Sequence, residues 1–312
     1  MRGDASVART RGAGVKRRTV FILGAGASRP FNFPSGPELR DVIIKDLAGR
    51  GGIGIRETLL RLGFSQSEIE EFAEVFRVSQ IPSIDAFLQK YPELETLGKT
   101  AISYVILYWE NTNKTHIFDS PDWYLKLLLA IKDDQNLYAE DLTIISFNYD
   151  RSLEYYLQRA LGKVLKLPPA EVNERVDRLG IIHFYGSLGE LPTEPNAPGD
   201  YGLNEDAMIT KGAESIHLIG RNTIAREIRE RSVVRCSEAE TIIILGFGFH
   251  PENIQILRPD LWGGITDDFK LYSTDLGMSN TDKERAKSRL GRQPYWTQTN
   301  CLRFFDSVDP FA

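Results

Sequence analysis

The chain has 312 residues, 42% of them hydrophobic and 26% charged, and a formal net charge of -5, the composition of a globular protein with one large domain plus an insertion, or two domains. That charge supplies no field to draw the whole surface to nucleic acid or an anionic membrane. The two cysteines, Cys236 and Cys301, can build neither a disulfide framework nor a four-cysteine zinc site, and a reducing cytoplasm fits.

Residues 1–17 place Arg2, Arg9, Arg11, Lys16 and Arg17 among small residues, with no apolar run before Thr19. They read as a disordered basic tail, solvated or touching a partner. The apolar stretch that follows is about eight residues long and holds two glycines, too short and interrupted for a signal segment or a membrane span. In FILGAGASRP, Phe21 to Pro30, an apolar segment runs into Gly24 and Gly26 and then Ser28. The glycines serve either a phosphate cradle or only a tight strand-to-helix turn.

TVFILGAG (Thr19 to Gly26), LTIISFNYD (Leu142 to Asp150) and TIIILGFGF (Thr241 to Phe249) are β-branched, nearly continuous apolar runs and predict buried parallel strands. Between the first two, from Pro37 to Asp133, the apolar spacing in EFAEVF, SIDAFL and AISYVILYW predicts a helical insertion lobe. It includes helices from Ser65 to Phe76 and in DWYLKLLLAI, ending at Ile131. Further along, GIIHFYG (Gly180 to Gly186) and FKLYSTD (Phe269 to Asp275) are additional strand candidates, and RNTIAREIRERSV predicts the helix before TIIIL. Leu191 to Lys211, rich in Pro, Gly, Asn and acidic residues, predicts a loop that is either a lid or passive surface. Strands alternating with helices predict an α/β fold, a Rossmann-like parallel sheet wrapped on both faces.

Ligands of such sheets sit outside the carboxyl ends of the strands. The residues there are GAGAS, FNYD, HFYGS, GFGFHPEN and STD, dense in Gly, Ser, Asn, Asp, Tyr and His, which suggests a shared cleft. Read alone, Asn148 is a turn residue or a catalytic amide, Asp150 a helix N-cap or a site residue, and His183 a structural or a catalytic histidine. The turn reading is preferred for His250, and His116 and His217 read as structural.

GAGAS, SFNYD with a following SLEYYL, IHFYGSL and LGFGFHPEN, in this order and at these separations, resemble the sirtuin-like NAD-hydrolase domains of bacterial anti-phage defence systems. SIDAFL is similar to a recurring element of the same group. The resemblance covers roughly Arg18 to Leu276. It implies an NAD glycohydrolase that cleaves NAD to nicotinamide and ADP-ribose and depletes the cell. GAGAS would then turn the chain under the pyrophosphate, with Gly24, Ala25 and Gly26 close to the ligand and a helix start near Ser28 offering free N–H groups. Ser28 would donate a further hydrogen bond or cap that helix.

The family's asparagine and histidine match Asn148, which would hold a water or the ribose hydroxyls, and His183, which would accept a proton near neutral pH. Both are expected to face a wet cleft. GFGFHPEN is either a tight turn or a close approach of Gly246 and Gly248 to the adenosine half, and the resemblance implies that this strand end lines the NAD pocket; Ser273 and Asp275 end another strand near the expected adenine or ribose end, while Asp150 stays open between cofactor contact and cap. NAD is the substrate and no metal is expected. Arg29 stands where a dehydrogenase fingerprint has its third glycine, and no acidic residue ends a second strand about twenty residues on, which disfavours hydride transfer.

Two other functions compete: an NAD-dependent protein deacylase, which mostly carries a four-cysteine zinc ribbon that two cysteines cannot form, and a non-catalytic NAD or ADP-ribose sensor module. No sensor domain is recognisable after STDLG. A homo-oligomer or a separate activator, such as a DNA-translocating ATPase or a short Argonaute, is therefore expected, with no direct nucleic-acid or membrane contact.

Overall fold

A computed structural model describes residues 18–119, 122–133, 141–194, 197–218, 223–264 and 268–309. The basic tail expected at 1–17 lies outside the described residues. The first strand, β1 (Thr19–Leu23), is followed by α1 (Gly36–Leu47), α2 (Ile55–Arg61), α3 (Gln66–Ser79), α4 (Ile84–Lys90), α5 (Glu95–Asn113) and α6 (Trp123–Ile131). Next come β2 (Leu142–Ser146), α7 (Ser152–Leu165), α8 (Pro169–Arg178), β3 (Ile181–His183), α9 (Asp206–Ser215), α10 (Thr223–Glu238) and β4 (Thr241–Leu245). The chain closes with α11 (Pro251–Leu257), β5 (Lys270–Ser273), α12 (Asn280–Leu290), β6 (Tyr295–Trp296) and α13 (Cys301–Ser307).

The six strands form one parallel sheet in the order β3-β2-β1-β4-β5-β6, the strand order of the doubly wound Rossmann arrangement. Phe21 lies opposite Ile144 on one side and Ile243 on the other. Every residue of β1, β2 and β4 is buried, which is why these strands are written as unbroken apolar runs rather than as alternation. The strands stop three or four residues earlier than the apolar runs suggest, because their last residues turn out of the ladder at Gly24, Phe147 and Gly246. The edge strand β6 has two residues, too few to carry a period, and escaped the sequence reading.

Between β1 and β2 the described residues hold helices and no strand. In α3, Ser65 and Glu68 cap one another reciprocally, the capping-box arrangement that starts a helix. The same helix buries Ile69, Phe72 and Phe76, and the two phenylalanines meet Phe87 of α4 at ring separations of 5.5 and 4.3 Å. The helix α5 is buried along most of its length and packs on α9, α2 and α1. The segment read as a loop over Leu191 to Lys211 is one only as far as α9, which begins at Asp206. Its described residues do not cover the cleft identified below. They are pinned to α5 and to Arg151 at the entry to α7, Gly199 O accepting from Arg151 Nη1 at 2.8 Å and Gly202 O from Asn111 Nδ2 at 2.8 Å. Among the described residues no helix is long and apolar enough to cross a membrane.

Candidate functional site

Three strand-end turns are knitted together by backbone contact. Gly24 N–H donates to Leu245 O at 3.0 Å, Gly26 N–H to Gly246 O at 2.8 Å, and Gly246 N–H to Thr274 Oγ1 at 2.9 Å. A Cβ at Gly24 would stand 2.5 Å from Gly246 O, and one at Gly246, whose φ is +58°, would stand 2.2 Å from Ala27 N. The glycines are therefore required first by the approach of the β1 and β4 turns to each other. Gly246→Ala combines a left-handed backbone with a backbone clash. It should lower the unfolding free energy by about 3 kcal/mol or more, measured by urea denaturation, whereas Gly49→Ala, with no atom within 4 Å of the added methyl, should cost only its left-handed strain.

The helix expected near Ser28 begins instead at Gly36, after two short 3₁₀ turns over Ala25–Ala27 and Arg29–Phe31. Ala27 N–H donates to Gly24 O and Ser28 N–H to Ala25 O, so most of the amides expected to meet an anion are engaged within the turn. From Gly24 to Ser28, only the amide of Ala25 donates to no acceptor among the described residues.

Above this floor lies a cleft of about 990 Å³ that the ends of β1 to β5 all reach, at the upper end of the range of small-molecule sites. Gly24, Ala25, Gly26, Gly246, Gly248 and Asp275, all singled out from sequence, line it, as do Phe147, Tyr185, His250 and Asn253. Asp275, two residues beyond β5, has its carboxylate paired to Lys283, and its Oδ1 is buried without a hydrogen-bond partner among the described residues. Ser273 is fully buried, its hydroxyl donating to Thr274 O, and does not line the cleft.

Ser28, Asn148, Asp150 and His183 are brought together, but behind the cleft wall rather than on it. Asn148 Nδ2 donates to Gly24 O and to Ser28 Oγ, each at 3.0 Å, and Ser28 Oγ donates to Asp150 Oδ2 at 3.0 Å. Asp150 Oδ1 accepts from Ser152 N–H at 3.2 Å and from the Ser152 hydroxyl, an Asx turn one residue ahead of Arg151, the N-cap of α7. Burial raises the Asp150 carboxyl above the usual range, opposed by the hydroxyls of Ser152 and Ser28. Asn148 Oδ1 is buried with no partner among the described residues, an orphan acceptor that does not line the cleft.

His183 stands between Asn148 O, 2.8 Å from Nδ1, and Glu154 Oε1, 2.5 Å from Nε2. Burial alone would lower its pKa, but the Glu154 carboxylate, helped by the Asn148 carbonyl, raises it from 6.5 to about 9. Both ring nitrogens are engaged in this arrangement, one by a backbone carbonyl and the other by a carboxylate. A general-base role, as expected from sequence, would require one of these two contacts to open. Two residues on, Tyr185 enters the cleft, its hydroxyl donating to Asn253 Oδ1 at 2.6 Å. His250 both precedes α11 and lines the cleft.

Asp85, in SIDAFL, was read as part of a helix and given no chemical role. It lines the cleft from α4, accepting hydrogen bonds from the Tyr149 hydroxyl and, at 3.1 Å, from Ser83 Oγ. Burial raises its pKa, and the Tyr149 and Ser83 hydroxyls work against that rise. Among the described residues no group of three or more His, Cys, Asp or Glu is placed to hold a metal ion.

No protein-family model matches the chain, and no curated protein matches it. Among solved structures it is similar to Sir2Tm bound to a propionylated peptide, at 12% identity and a TM-score of 0.41, covering 94% of this chain and 92% of that one. It is also similar to Sir2 in complex with an inhibitor, 2'-O-acetyl-ADP-ribose and a deacetylated peptide, at 15% identity and a TM-score of 0.41, covering 93% and 91%. A serine-to-alanine mutant of a Sir2 homologue in complex with ADP-ribose matches at 11% identity and a TM-score of 0.40, covering 94% and 91%. Likeness at this level carries no argument about chemistry; the fold assignment rests on the strand order.

Proposed function

We propose that this chain binds NAD along the cleft and hydrolyses the bond between nicotinamide and ribose. The observation that carries the reading is the meeting of the glycine turns of β1 and β4 beneath the cleft, where the strand order reverses. This is the point at which doubly wound sheets take a dinucleotide across their two halves. The pyrophosphate would lie over Gly24, Ala25 and Gly26, with the free Ala25 amide as donor, and beside Gly246 and Gly248. The unpartnered Asp275 Oδ1 would accept from a hydroxyl of the adenosine ribose.

Asn148 would offer its orphan Oδ1 to a ribose hydroxyl or to the attacking water after a small movement of the wall, with Ser28 and Asp150 holding the amide in place. His183 is then a positioning residue, because its imidazolium anchors the Asn148 carbonyl. The departing nicotinamide leaves neutral, so placement and electrostatic stabilisation meet the chemical demand without a strong acid.

The wider reading is an anti-phage effector of the cytoplasm that depletes NAD, held at low basal activity as a homo-oligomer or by a separate activator. The test incubates the purified chain, in excess over NAD, and follows both binding by calorimetry and nicotinamide release by chromatography. Binding with release is expected. Binding without release would favour the sensor reading, removal of an acyl group from a peptide the deacylase reading, and absence of binding would overturn the NAD reading altogether.

A further inference from the structure

The cleft is chemically lopsided. Its floor lies between the central strands β1 and β4, and Asp275, already paired with Lys283, stands at the β5 side. On the other side of β1, Tyr149 and Tyr185, which follow β2 and β3, gather with Asp85 of α4 and Asn253 of α11 into a second cluster that the proposed mechanism has not used. The Tyr149 and Tyr185 ring centroids are 6.0 Å apart, Tyr149 holds Asp85, and Tyr185 holds Asn253. Asp85 is the carboxylate among these four, and it is oriented by hydroxyl donors on both oxygens. Each of those oxygens keeps a second lone pair. A dinucleotide with its adenosine half at Asp275 and its pyrophosphate over the glycine floor would extend its other nucleoside to this cluster.

We propose that Asp85 is the general base of NAD hydrolysis in this cleft, with Tyr149 and Ser83 as its positioning residues. The inference rests on the NAD reading above. The bond between the nicotinamide nitrogen and the anomeric carbon breaks, and its electron pair goes to the nitrogen, which leaves as neutral nicotinamide. The oxygen of a water bonds to the anomeric carbon, and the proton of that water passes to the Asp85 carboxylate and then to solvent. A carboxylate at this place also lies close to the positive charge that develops on the ribose, so one group serves both needs.

The test compares the full-length wild type with Asp85→Asn and Asp85→Ala, reading kcat and KM for nicotinamide release, NAD affinity by calorimetry, and thermal melting. Asp85→Asn should lower kcat by about a hundredfold or more, with NAD affinity held within about threefold. Formate should restore part of the activity of Asp85→Ala, which a merely structural carboxylate would not allow. A folded Asp85→Asn protein that cleaves NAD at the wild-type rate overturns the assignment, as does one whose loss lies wholly in NAD affinity. A wild type that binds no NAD, or binds it without cleavage, overturns the NAD-hydrolase reading instead, so the two failures are distinguishable.

Discussion

Replacing Glu110 with alanine should lower the unfolding free energy by about 3 to 5 kcal/mol, the range for removing one partner of a buried ion pair. Glu110, on α5, is 0% exposed, and Arg151, which follows FNYD at the end of β2, is 3% exposed. Glu110 Oε2 accepts from Arg151 Nη2 at 2.6 Å and from Gly202 N–H at 3.1 Å, while Oε1 accepts from Arg151 Nε and from Arg151 N–H, each at 3.1 Å. One carboxylate thus ties α5, the β2 end and the loop before α9 into a unit. Its loss strands a guanidinium in the interior, with Gly199 O as its remaining acceptor. Urea denaturation followed by circular dichroism should show the midpoint fall. Replacing both partners with apolar residues of similar volume should recover a large part of the loss, because no unpaired charge then remains. A cost below about 1 kcal/mol for Glu110→Ala would mean that water reaches Arg151.

His183→Gln should remove a pH-dependent contribution of about 3 kcal/mol, the size that follows from its displaced pKa. The folded value of about 9 lies above the ordinary 6.5, so protonation favours the native state. The contribution is full below 6.5 and is lost as the pH rises through about 9. The partners are mostly enclosed, with side chains 11% and 19% exposed, so solvent screens the pair little. Wild-type melting temperature should therefore fall between pH 7 and pH 10 more steeply than that of His183→Gln, a comparison made by parallel thermal scans. The substitution also takes from Glu154 the nearer of the two cations that act on it, with Arg151 the other, so the stability loss should exceed the few degrees expected for a residue facing a wet cleft. A loss of NAD cleavage in this variant would then come through a displaced Asn148. An activity profile rising with a pKa near neutrality, and abolished by His183→Gln, would restore the histidine to the role of base.

Much of the fold was legible because burial leaves a short-range trace. The unbroken β-branched runs of TVFIL, LTIIS and TIIIL read as buried parallel strands, and the helix read from Ser65 starts there, with Ser65 as the cap of α3. The glycines at Gly24, Gly26 and Gly246 were legible as sites of special backbone, although their first purpose, one turn packed on another, joins segments some 220 residues apart in the chain, as Gly26 and Gly246 show.

Which polar side chain at a strand end faces the cleft was not legible. His183 and Tyr185 sit two residues apart in the same turn, yet one is clamped inside by Glu154 and the other reaches the cleft, because the packing of α7 and α11 selects them. Asp85 shows the same limit, since it acquires chemical meaning only when Tyr149, 64 residues away, lies against it. Sequence by itself determined five of the six strands and the helical stretch, because local periodicity records what is buried, and it left out β6, which is too short to carry a period. The tertiary structure alone decided which groups meet at the strand ends and in what charge state, because desolvation and Coulomb coupling depend on neighbours that the chain brings together only by folding.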